Sequence, residues 1–537
     1  MRTQRKTGVP TLVAAVVLSL AACSSGSGGS AAPIASEGTN ENIPVLKWAL
    51  AEGPRSLDPA HAYDGSSAAV YTELLEPLVG LDADGRIQPR LARAWSQPDP
   101  TTLVFDLRTD VKFWDGKSLT AEDAVFSLRR HIDPQVASEL MGAFAHLADV
   151  TATSPSQVTV KLSTPDPSMA YSISKAGVME KDYALAHASN LGDATGLIMG
   201  TGPYTVKSFS PATGATLARY EGYYGSKPTV AQVEFTVIPD PDTRRLAMQS
   251  GEVDGTFSVP LQTARQWDTT SSIRVQYSPS STTAMVMLDN SQAPFTDPHV
   301  RRALSYALDR DGIVKSLAGG HGRRAASIID PTLWTNLAPP EEVDAFYRTL
   351  PPYDFDMAKA KAELAQSASP NGFTAEAEFP NSTPGLGNVL QSLAANVKPL
   401  GITINVSEVP AAQWLANIFG KKGPAVKIAS LSADYPTPMG LADVLLAPLD
   451  EPTSQNVANY APADVLQQIA TFRKGDKAAQ VSSMKTITGR LSEDVPYIPV
   501  YYSDVTIALA RKYAYTGKFG QWTFFAQEWV GNVKVAA

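Results

Sequence analysis

The sequence is poor in cysteine, in histidine and in clustered positive charge. One cysteine in 537 residues cannot form an intramolecular disulfide, and six scattered histidines provide no Cys/His cluster at zinc-ligand spacing. Lys and Arg number 45 against 53 Asp and Glu, a net charge of −8, and no basic run follows the extreme N-terminus. Because nucleic-acid surfaces need clustered positive charge, the sequence predicts no disulfide scaffold, no structural metal site and no nucleic-acid partner.

Sequence motifs for covalent chemistry are also missing. Gly116-Lys117-Ser118 lacks the upstream glycine of a phosphate-binding loop, because position 111 is Val111. Gly200-Thr201-Gly202-Pro203 lacks the third glycine of a dinucleotide fingerprint. The chain has no Gly-x-Ser-x-Gly elbow, no His-Glu-x-x-His and no Cys–His pair, so we predict neither an enzyme nor a cofactor. A hydrolase whose triad is dispersed through the chain stays open as an alternative.

The composition is that of a globular protein with several domains. Hydrophobic residues make up 44% and charged residues 18% of the chain. The length predicts about two to four domains. Short β-type runs alternate with helical patterns, which indicates α/β layers, and Thr120 is predicted to cap a helix. The clearest strand candidates are residues 103–107, 158–162, 233–237 and 402–406.

The N-terminus has the pattern of an export signal. Basic residues precede an apolar run over residues 9–22 that is too short to span a bilayer comfortably, and no other run is long enough. Small residues lead into Cys23, and a Gly/Ser-rich stretch follows, which resembles a bacterial lipoprotein signal. We therefore predict a signal peptide over residues 1–22, acylation of Cys23 and a flexible tether over residues 23–40. The alternative is a cleaved secretory signal with an incidental cysteine.

Four segments of the body carry a family resemblance. The second contains Val111-Lys112-Phe113-Trp114-Asp115-Gly116-Lys117 and Thr120-Ala121-Glu122-Asp123-Ala124. In this order the segments resemble the extracellular solute-binding proteins of family 5, the peptide-type receptors of ABC importers. Each segment alone is a weak signal, but together they span nearly the whole chain after the export signal. The segments are residues 51–59 with 73–78, residues 105–128, residues 200–204 with 245–247 and 251–254, and residues 295–310.

The resemblance implies an α/β, two-lobed periplasmic-binding-protein-like fold of type II, cluster C, with an additional inserted domain. The two lobes would close over a solute by a hinge motion. The chain would cross between the lobes more than once. The implied ranges are 41–85, 198–290 and 500–537 for lobe I, 86–197 for the additional domain and 291–499 for lobe II.

The resemblance also implies a ligand-binding acid. In the oligopeptide receptors of the family, an Ala-Asp-Tyr segment after a strand supplies the carboxylate that pairs with the α-ammonium of the peptide. Here Ala433-Asp434-Tyr435 follows the strand-like residues 426–430. We therefore predict that Asp434, with Tyr435 beside it, binds the ammonium, an interaction that is much stronger in a closed cleft than on the surface. The alternative is that Asp434 only caps the turn before Pro436.

Two further groups of residues are candidates for the site. Tyr63-Asp64-Gly65 approximately matches the family stretch that offers backbone hydrogen bonds to a peptide. Tyr501 and Tyr502 lie where the chain would return to lobe I, so one phenol could hydrogen-bond a bound backbone.

The function that the resemblance implies is capture of short peptides outside the cell. A monomeric receptor, held by its lipid at the outer face of the cytoplasmic membrane, would deliver them to an ABC permease and its ATPase subunits. Ligand would shift the population toward the closed form. A non-peptide solute such as a nickel chelate or an oligosaccharide is an alternative, and a secreted hydrolase is the competing class.

Overall fold

The computed structural model describes residues 38–449, 456–524 and 529–537. Within these residues the chain forms twenty strands and fifteen α-helices, joined by loops and short 3-10 helices. The strands are β1 (Gly38–Thr39), β2 (Leu46–Leu50), β3 (Val79–Leu81), β4 (Ile87–Pro89), β5 (Ala92–Asp99), β6 (Thr102–Leu107), β7 (Leu147–Ser154), β8 (Gln157–Leu162), β9 (Tyr204–Ser210), β10 (Gly214–Arg219), β11 (Gln232–Val237), β12 (Gly255–Phe257), β13 (Ile273–Leu288), β14 (Arg323–Arg324), β15 (Thr374–Pro380), β16 (Thr403–Val409), β17 (Val426–Leu431), β18 (Tyr497–Ala510), β19 (Tyr513–Tyr515) and β20 (Val533–Ala536). The helices are α1 (Gly65–Tyr71), α2 (Ala121–Arg129), α3 (Met169–Ile173), α4 (Lys181–Ala186), α5 (Pro241–Ser250), α6 (Ala264–Asp268), α7 (Pro298–Tyr306), α8 (Arg310–Leu317), α9 (Pro340–Tyr347), α10 (Met357–Ala365), α11 (Pro384–Val397), α12 (Ala411–Phe419), α13 (Met439–Leu445), α14 (Ala463–Lys474) and α15 (Lys477–Asp494).

One large mixed sheet organises most of these elements. Its strand order is β16-β15-β17-β13-β18-β12-β2-β11-β10-β9, and β14 pairs with β18 beside this path. Pairs β2–β11, β2–β12, β15–β16 and β15–β17 are parallel, and the other pairs along the path are antiparallel. We call the part around β2 and β9–β12 lobe I, the part around β15–β17 lobe II, and the segment β3–β8 with α2–α4 the third domain.

Two long strands run from one lobe into the other. The first half of β13 pairs with β18 from Ile273 opposite Ala510 to Pro279 opposite Asp504, and there β18 also pairs with β12 of lobe I. The second half of β13 pairs with both β18 and β17 of lobe II. Between the halves the register shifts, from Pro279 to Thr283. An irregular ladder holds fewer backbone bonds, so this is where we expect the lobes to hinge.

Lobe II packs a core on each face of its sheet. Side chains alternate along β13, so that Val286 and Leu288 enter one buried cluster and Met285 and Met287 enter the other. Helix α11 covers the first face, and helices α13–α15 cover the second. Both faces are therefore closed to water, and function has to be sought at the ends of the strands.

The third domain has its own sheet and core. Strands β5, β6, β8 and β7 form an antiparallel sheet in that order, over buried Phe105, Phe113 and Phe144. Helix α2 begins with a capping box in which Thr120 and Asp123 satisfy each other's backbone N–H, as the sequence predicts. Lobe I is packed around Trp48, whose ring centroid is 4.5 Å from that of Trp529. Across the described ranges, no helix combines the length and the apolar character needed to cross a membrane.

Candidate functional site

The predicted acid lies on a short loop that follows β17. The N–H of Asp434 donates to the carbonyl of Gly440 at 3.1 Å, and the N–H of Thr437 donates to the carbonyl of Tyr435 at 2.8 Å. These backbone bonds close the loop before α13 without help from the Asp434 side chain. Among the described residues, no donor lies within hydrogen-bond or ion-pair distance of the half-buried Asp434 carboxylate. The acid is therefore positioned by the backbone bonds of its own loop.

Two side chains outside lobe II interact electrostatically with Asp434. Lys175 follows α3 in the third domain, and its Nζ lies 4.8 Å from the centre of the Tyr63 ring. Burial raises the pKa of Tyr63, and the charge of Asp434 raises it further. Burial lowers the pKa of Lys175, and the negative charge of Asp434 opposes that shift. The charge of Asp434 in lobe II thus acts on an ammonium and a phenol that both lie outside that lobe.

The residues after Tyr63 build the start of α1. Asp64 is the N-cap, accepting from the N–H of Ser67 at 2.9 Å, and it also accepts from Arg55 Nε at 3.0 Å. The backbone N–H of Tyr63 donates to Glu139 Oε2 at 2.9 Å. Gly65 is the first helical residue and is exposed, with open space where a Cβ would be. Of this predicted segment, Tyr63 is the residue that interacts electrostatically with Asp434.

Tyr435 packs against the third domain. Its ring stacks on that of Tyr171 with centroids 5.9 Å apart. Its hydroxyl donates to Asp443, and Arg473 Nη2 donates to the same carboxyl group at 3.0 Å. Burial raises the pKa of Tyr435, and it also raises the pKa of Asp443 against the opposing charge of Arg473. Tyr435 therefore joins lobe II to the third domain by stacking and anchors the loop that carries Asp434.

Tyr501 and Tyr502 lie in the lobe II half of β18. The Tyr502 hydroxyl donates to the carbonyl of Ser327 at 2.8 Å and accepts from the N–H of the same residue at 3.3 Å. Its ring also supports the guanidinium of Arg323, 5.1 Å from the ring centre. Tyr501 is buried in the first lobe II cluster, and burial raises the pKa of its phenol. The contacts of both rings are those of core packing.

Several residues of this interface have no sequence motif to mark them. The side chain of Asn336 in lobe II donates to the carbonyl of Gly85 in the third domain at 3.1 Å. Trp522 and Tyr171, from outside lobe II, pack against its second core cluster. A lone lysine such as Lys175 gives no signal in a sequence, because its partners are distant along the chain. The contacts show that lobe II is closed onto its neighbours in this structure.

Within the described residues, no group of three or more His, Cys, Asp or Glu side chains is arranged to hold a metal ion. Cys23 and the predicted signal and tether, apart from residues 38–40, lie outside the described residues.

Comparison with known proteins places this chain within a family. The glutathione-binding protein GsiB of Escherichia coli (strain K12) is 26% identical over 465 residues, covering 85% of this chain and 88% of that protein. Among solved structures, DppA from Helicobacter pylori in complex with peptide STSA has a TM-score of 0.77 at 22% identity, covering 93% of this chain and 99% of that chain. AgaA from A. tumefaciens R10 in complex with agropinic acid has a TM-score of 0.76 at 22% identity, covering 92% and 99%. These likenesses show the two-lobed type II fold.

A family model described as bacterial extracellular solute-binding proteins, family 5 Middle, matches residues 86–451. That match covers more than half of the sequence, including most of the third domain and the loop that carries Asp434. The chain therefore belongs to the bacterial extracellular solute-binding proteins of family 5.

Proposed function

We propose that this protein captures short peptides for an ABC importer by binding their α-ammonium group to Asp434. The observation that carries the proposal is the position of this carboxylate. Its charge acts on Tyr63 and Lys175, which lie outside lobe II, and within the described residues it accepts no hydrogen bond. A carboxylate removed from water gains strongly from a charged partner, and a peptide amino end supplies one whatever its side chains are.

Closure of the lobes would supply the mechanism. A ligand that touches Asp434 in lobe II and Tyr63 outside it makes its full set of contacts only when the lobes are together. Binding then stabilises the closed form by the difference in affinity between the two states. The closed form would dock on the permease, whose ATPase subunits drive release and import. We propose that the receptor acts as a monomer and performs no covalent chemistry on its cargo.

The ligands of the relatives support a small solute with amino-acid character. The named cargoes are glutathione for GsiB, peptide STSA for DppA and agropinic acid for AgaA. Because AgaA is in complex with agropinic acid, a non-peptide solute is the second candidate. Both candidates use the same cleft and differ only in the solute.

The proposed function is tested by isothermal titration with free-amine peptides and their N-acetylated forms. We expect free amines to bind and acetylated peptides to bind about ten- to hundredfold more weakly, the effect of losing one charge-assisted hydrogen bond. Asp434→Asn should remove that preference. The matched control is Asp149→Asn, at an exposed pair with Arg129 on the third domain, which should bind like the wild type. Equal affinity for both peptide forms in the wild type would refute the assignment of Asp434.

Native mass spectrometry of the purified protein tests the cargo class directly. Retained peptide would support the proposal, whereas retained opine, chelate or sugar would replace it with the second candidate. A peptide cleaved on incubation would instead identify the competing class, a hydrolase.

We propose further that the protein is exported and lipid-anchored. The pattern of residues 1–22 and the small residues before Cys23 support removal of a signal peptide and acylation of that cysteine. The acidic body would then stand at the outer face of the membrane on the tether over residues 23–40. Metabolic labelling with a radioactive fatty acid should mark the wild type and leave Cys23→Ser unlabelled. Equal labelling of both would contradict this assignment.

A further inference from the structure

His321 joins lobe II to lobe I beside the expected hinge. It lies in the loop between α8 and β14, and Ala318 of that loop is buried in the first lobe II cluster. The imidazole stacks on the ring of Tyr277, in the lobe I half of β13, with centroids 3.6 Å apart and planes 9° apart. Its Nε2 lies 3.8 Å from Asp268 Oδ2, at the end of α6. The buried Trp267 packs this helix into lobe I, so the contact crosses from one lobe to the other.

Tyr277 and Asp268 form a fixed surface on the lobe I side. The hydroxyl of Tyr277 donates to Asp268 Oδ1 at 3.0 Å, which leaves Oδ2 on the side of the imidazole. Burial raises the pKa of Tyr277, and the charge of Asp268 raises it further, so the phenol keeps its proton. His321 therefore meets a neutral ring face and a carboxylate oxygen that are already held together.

The backbone brings the loop of His321 close to this surface. The N–H of His321 donates to the carbonyl of Ala318 at 2.8 Å, which closes the turn after α8. A Cβ on Gly319 would lie 2.4 Å from the carbonyl oxygen of Leu261, in the segment that leads into α6. The loop is thus packed against that segment, and the imidazole has a defined position.

Charged groups on α6, β18 and β14 interact with His321 or with its neighbours. Beside Asp268 on α6, Asp504 on β18 is half-buried, and burial raises its pKa against the positive charges of His321 and Arg323. Arg323 on β14 is itself paired with Asp330 at 2.7 Å, which offsets its repulsion of an imidazolium. Only the protonated imidazole can form an ion pair, and an imidazole changes charge between about pH 5 and 8.

We propose that His321 is a pH-dependent latch between the lobes, in which the protonated imidazole pairs with Asp268 in the closed form, so that mild acid strengthens retention of the cargo. This inference rests on the proposed function and adds its regulation. Tyr277 lies two residues before the register shift that begins at Pro279, about 7 Å along the strand. Rotation at the hinge therefore displaces its ring from His321. An attraction that exists only with the lobes together shifts the population toward the closed form.

The test compares affinities at pH 5.5 and pH 7.5. The probes are Ala-Ala and glutathione, titrated calorimetrically into the full-length mature protein. For the probe that binds more tightly, the wild type should bind about two- to fivefold more tightly at pH 5.5, the effect of one ion pair whose side chains are 26% and 41% exposed. His321→Gln and Asp268→Asn should each bind equally at the two pH values. His321→Arg stays charged and can stack on Tyr277, so it should bind at pH 7.5 as tightly as at pH 5.5.

His299→Gln is the matched control. His299 also lies beside an acid, with Nδ1 2.8 Å from Glu363, but α7 and α10 that carry them both belong to lobe II. This variant should keep the pH dependence of the wild type, and thermal unfolding shows that each variant is folded. Affinity of the wild type that does not change with pH would overturn the latch and leave the proposed function standing. A pH dependence that persists in His321→Gln would overturn the latch too.

Failure of every peptide probe to bind would overturn the proposed function, and small-angle scattering of the ligand-free protein would then decide on the latch. A radius of gyration that is smaller at pH 5.5 than at pH 7.5 in the wild type, but not in His321→Gln, would support it. Any other result would overturn it.

Discussion

Gly85 and Pro436 are in close contact across the interface between the third domain and lobe II. A Cβ placed on Gly85 would lie 2.4 Å from the Cβ of Pro436, well inside the closest approach of two carbon atoms. Gly85 also has a φ of +73°, a backbone conformation that glycine adopts readily. The turn between β3 and β4 therefore favours glycine both for its backbone conformation and for the lack of a side chain. The loop that carries Asp434 and Pro436 can therefore pack against the turn between β3 and β4, because Gly85 has no side chain to block the contact.

Gly85→Ala should impair closure. The added methyl group cannot be accommodated unless lobe II moves away, so we expect the affinity for the best-binding peptide probe to fall about tenfold or more. Titration calorimetry measures the loss, and small-angle scattering with ligand should show a larger radius of gyration than the wild type.

The control for this change is Gly116→Ala. Gly116 has a φ of +91°, but nothing lies within 4 Å of where its Cβ would be. It carries a similar backbone strain without a contact at the interface. Equal loss of affinity in both variants would show that strain, and not closure, is responsible.

Asn336→Ala should weaken binding without unfolding the protein. Its hydrogen bond to Gly85 crosses the same interface, and one such bond is worth about 0.5–1.5 kcal/mol, or a two- to tenfold change in affinity. The control is Asn405→Ala, which removes a bond of 2.7 Å to Glu376 on the surface of lobe II. A larger effect from Asn405→Ala would argue against a role for this bond in closure.

Arg130→Ala should be among the most destabilising single changes in the third domain. Its guanidinium binds both oxygens of Asp58 at 2.9 and 2.5 Å, and the two side chains are 12% and 1% exposed. Burial alone would raise the pKa of Asp58, but the bonds and the charge of Arg130 hold it below its usual range. Removing Arg130 leaves a buried charge unpaired, at an expected cost of about 3–5 kcal/mol in the free energy of unfolding.

The neighbouring residue offers an exposed comparison. Arg129 pairs with Asp149 at 2.8 Å, with side chains 52% and 51% exposed. Arg129→Ala should cost no more than about 1 kcal/mol. Urea unfolding followed by tryptophan fluorescence measures both variants, and similar midpoints would contradict the expected difference.

Stability should fall in mild acid because of His131. The ring stacks on Phe144 with centroids 4.9 Å apart, its Nδ1 lies 2.9 Å from the hydroxyl of Ser138, and burial lowers its pKa from 6.5 to about 4. As the pH falls from 6.5 toward about 4, the imidazole is protonated in the unfolded state but not in the folded state. The free energy of unfolding therefore decreases from its value at neutral pH. The full shift corresponds to about 3 kcal/mol.

His131→Gln should lessen that acid sensitivity. The difference in urea midpoint between pH 7.5 and pH 4.5 should be smaller in the variant than in the wild type, although the variant is less stable at neutral pH. Parallel losses in the two proteins would assign the acid sensitivity to other groups.

Much of the local structure could be predicted from the sequence. The strand candidates at residues 103–107, 158–162 and 233–237 lie within β6, β8 and β11, and the candidate at 402–406 overlaps β16 with a shift of one residue at its start. The cap at Thr120 is confirmed, and so are the α/β class and the family. Caps and alternating strands depend on neighbours along the chain, which is why a sequence can show them.

The arrangement of the site could be predicted only in part. The family resemblance pointed to Asp434 and to the segment at Tyr63, and in the structure the charge of Asp434 acts on Tyr63. It gave no sign of Lys175 or of Gly85. It also placed Tyr502 among the ligand contacts, whereas the structure shows its hydroxyl bonded to the backbone of Ser327.

The sequence by itself determined the family, four of the strands, the cap at Thr120 and the presence of an acid after β17, because these follow from short-range patterns of polarity and residue type. Only the tertiary structure decided that Lys175 lies over the ring of Tyr63, and that Pro436 rests on Gly85. Such contacts join residues that are far apart along the chain. They arise from the packing of whole domains, so a local sequence pattern does not predict which side chains are in contact.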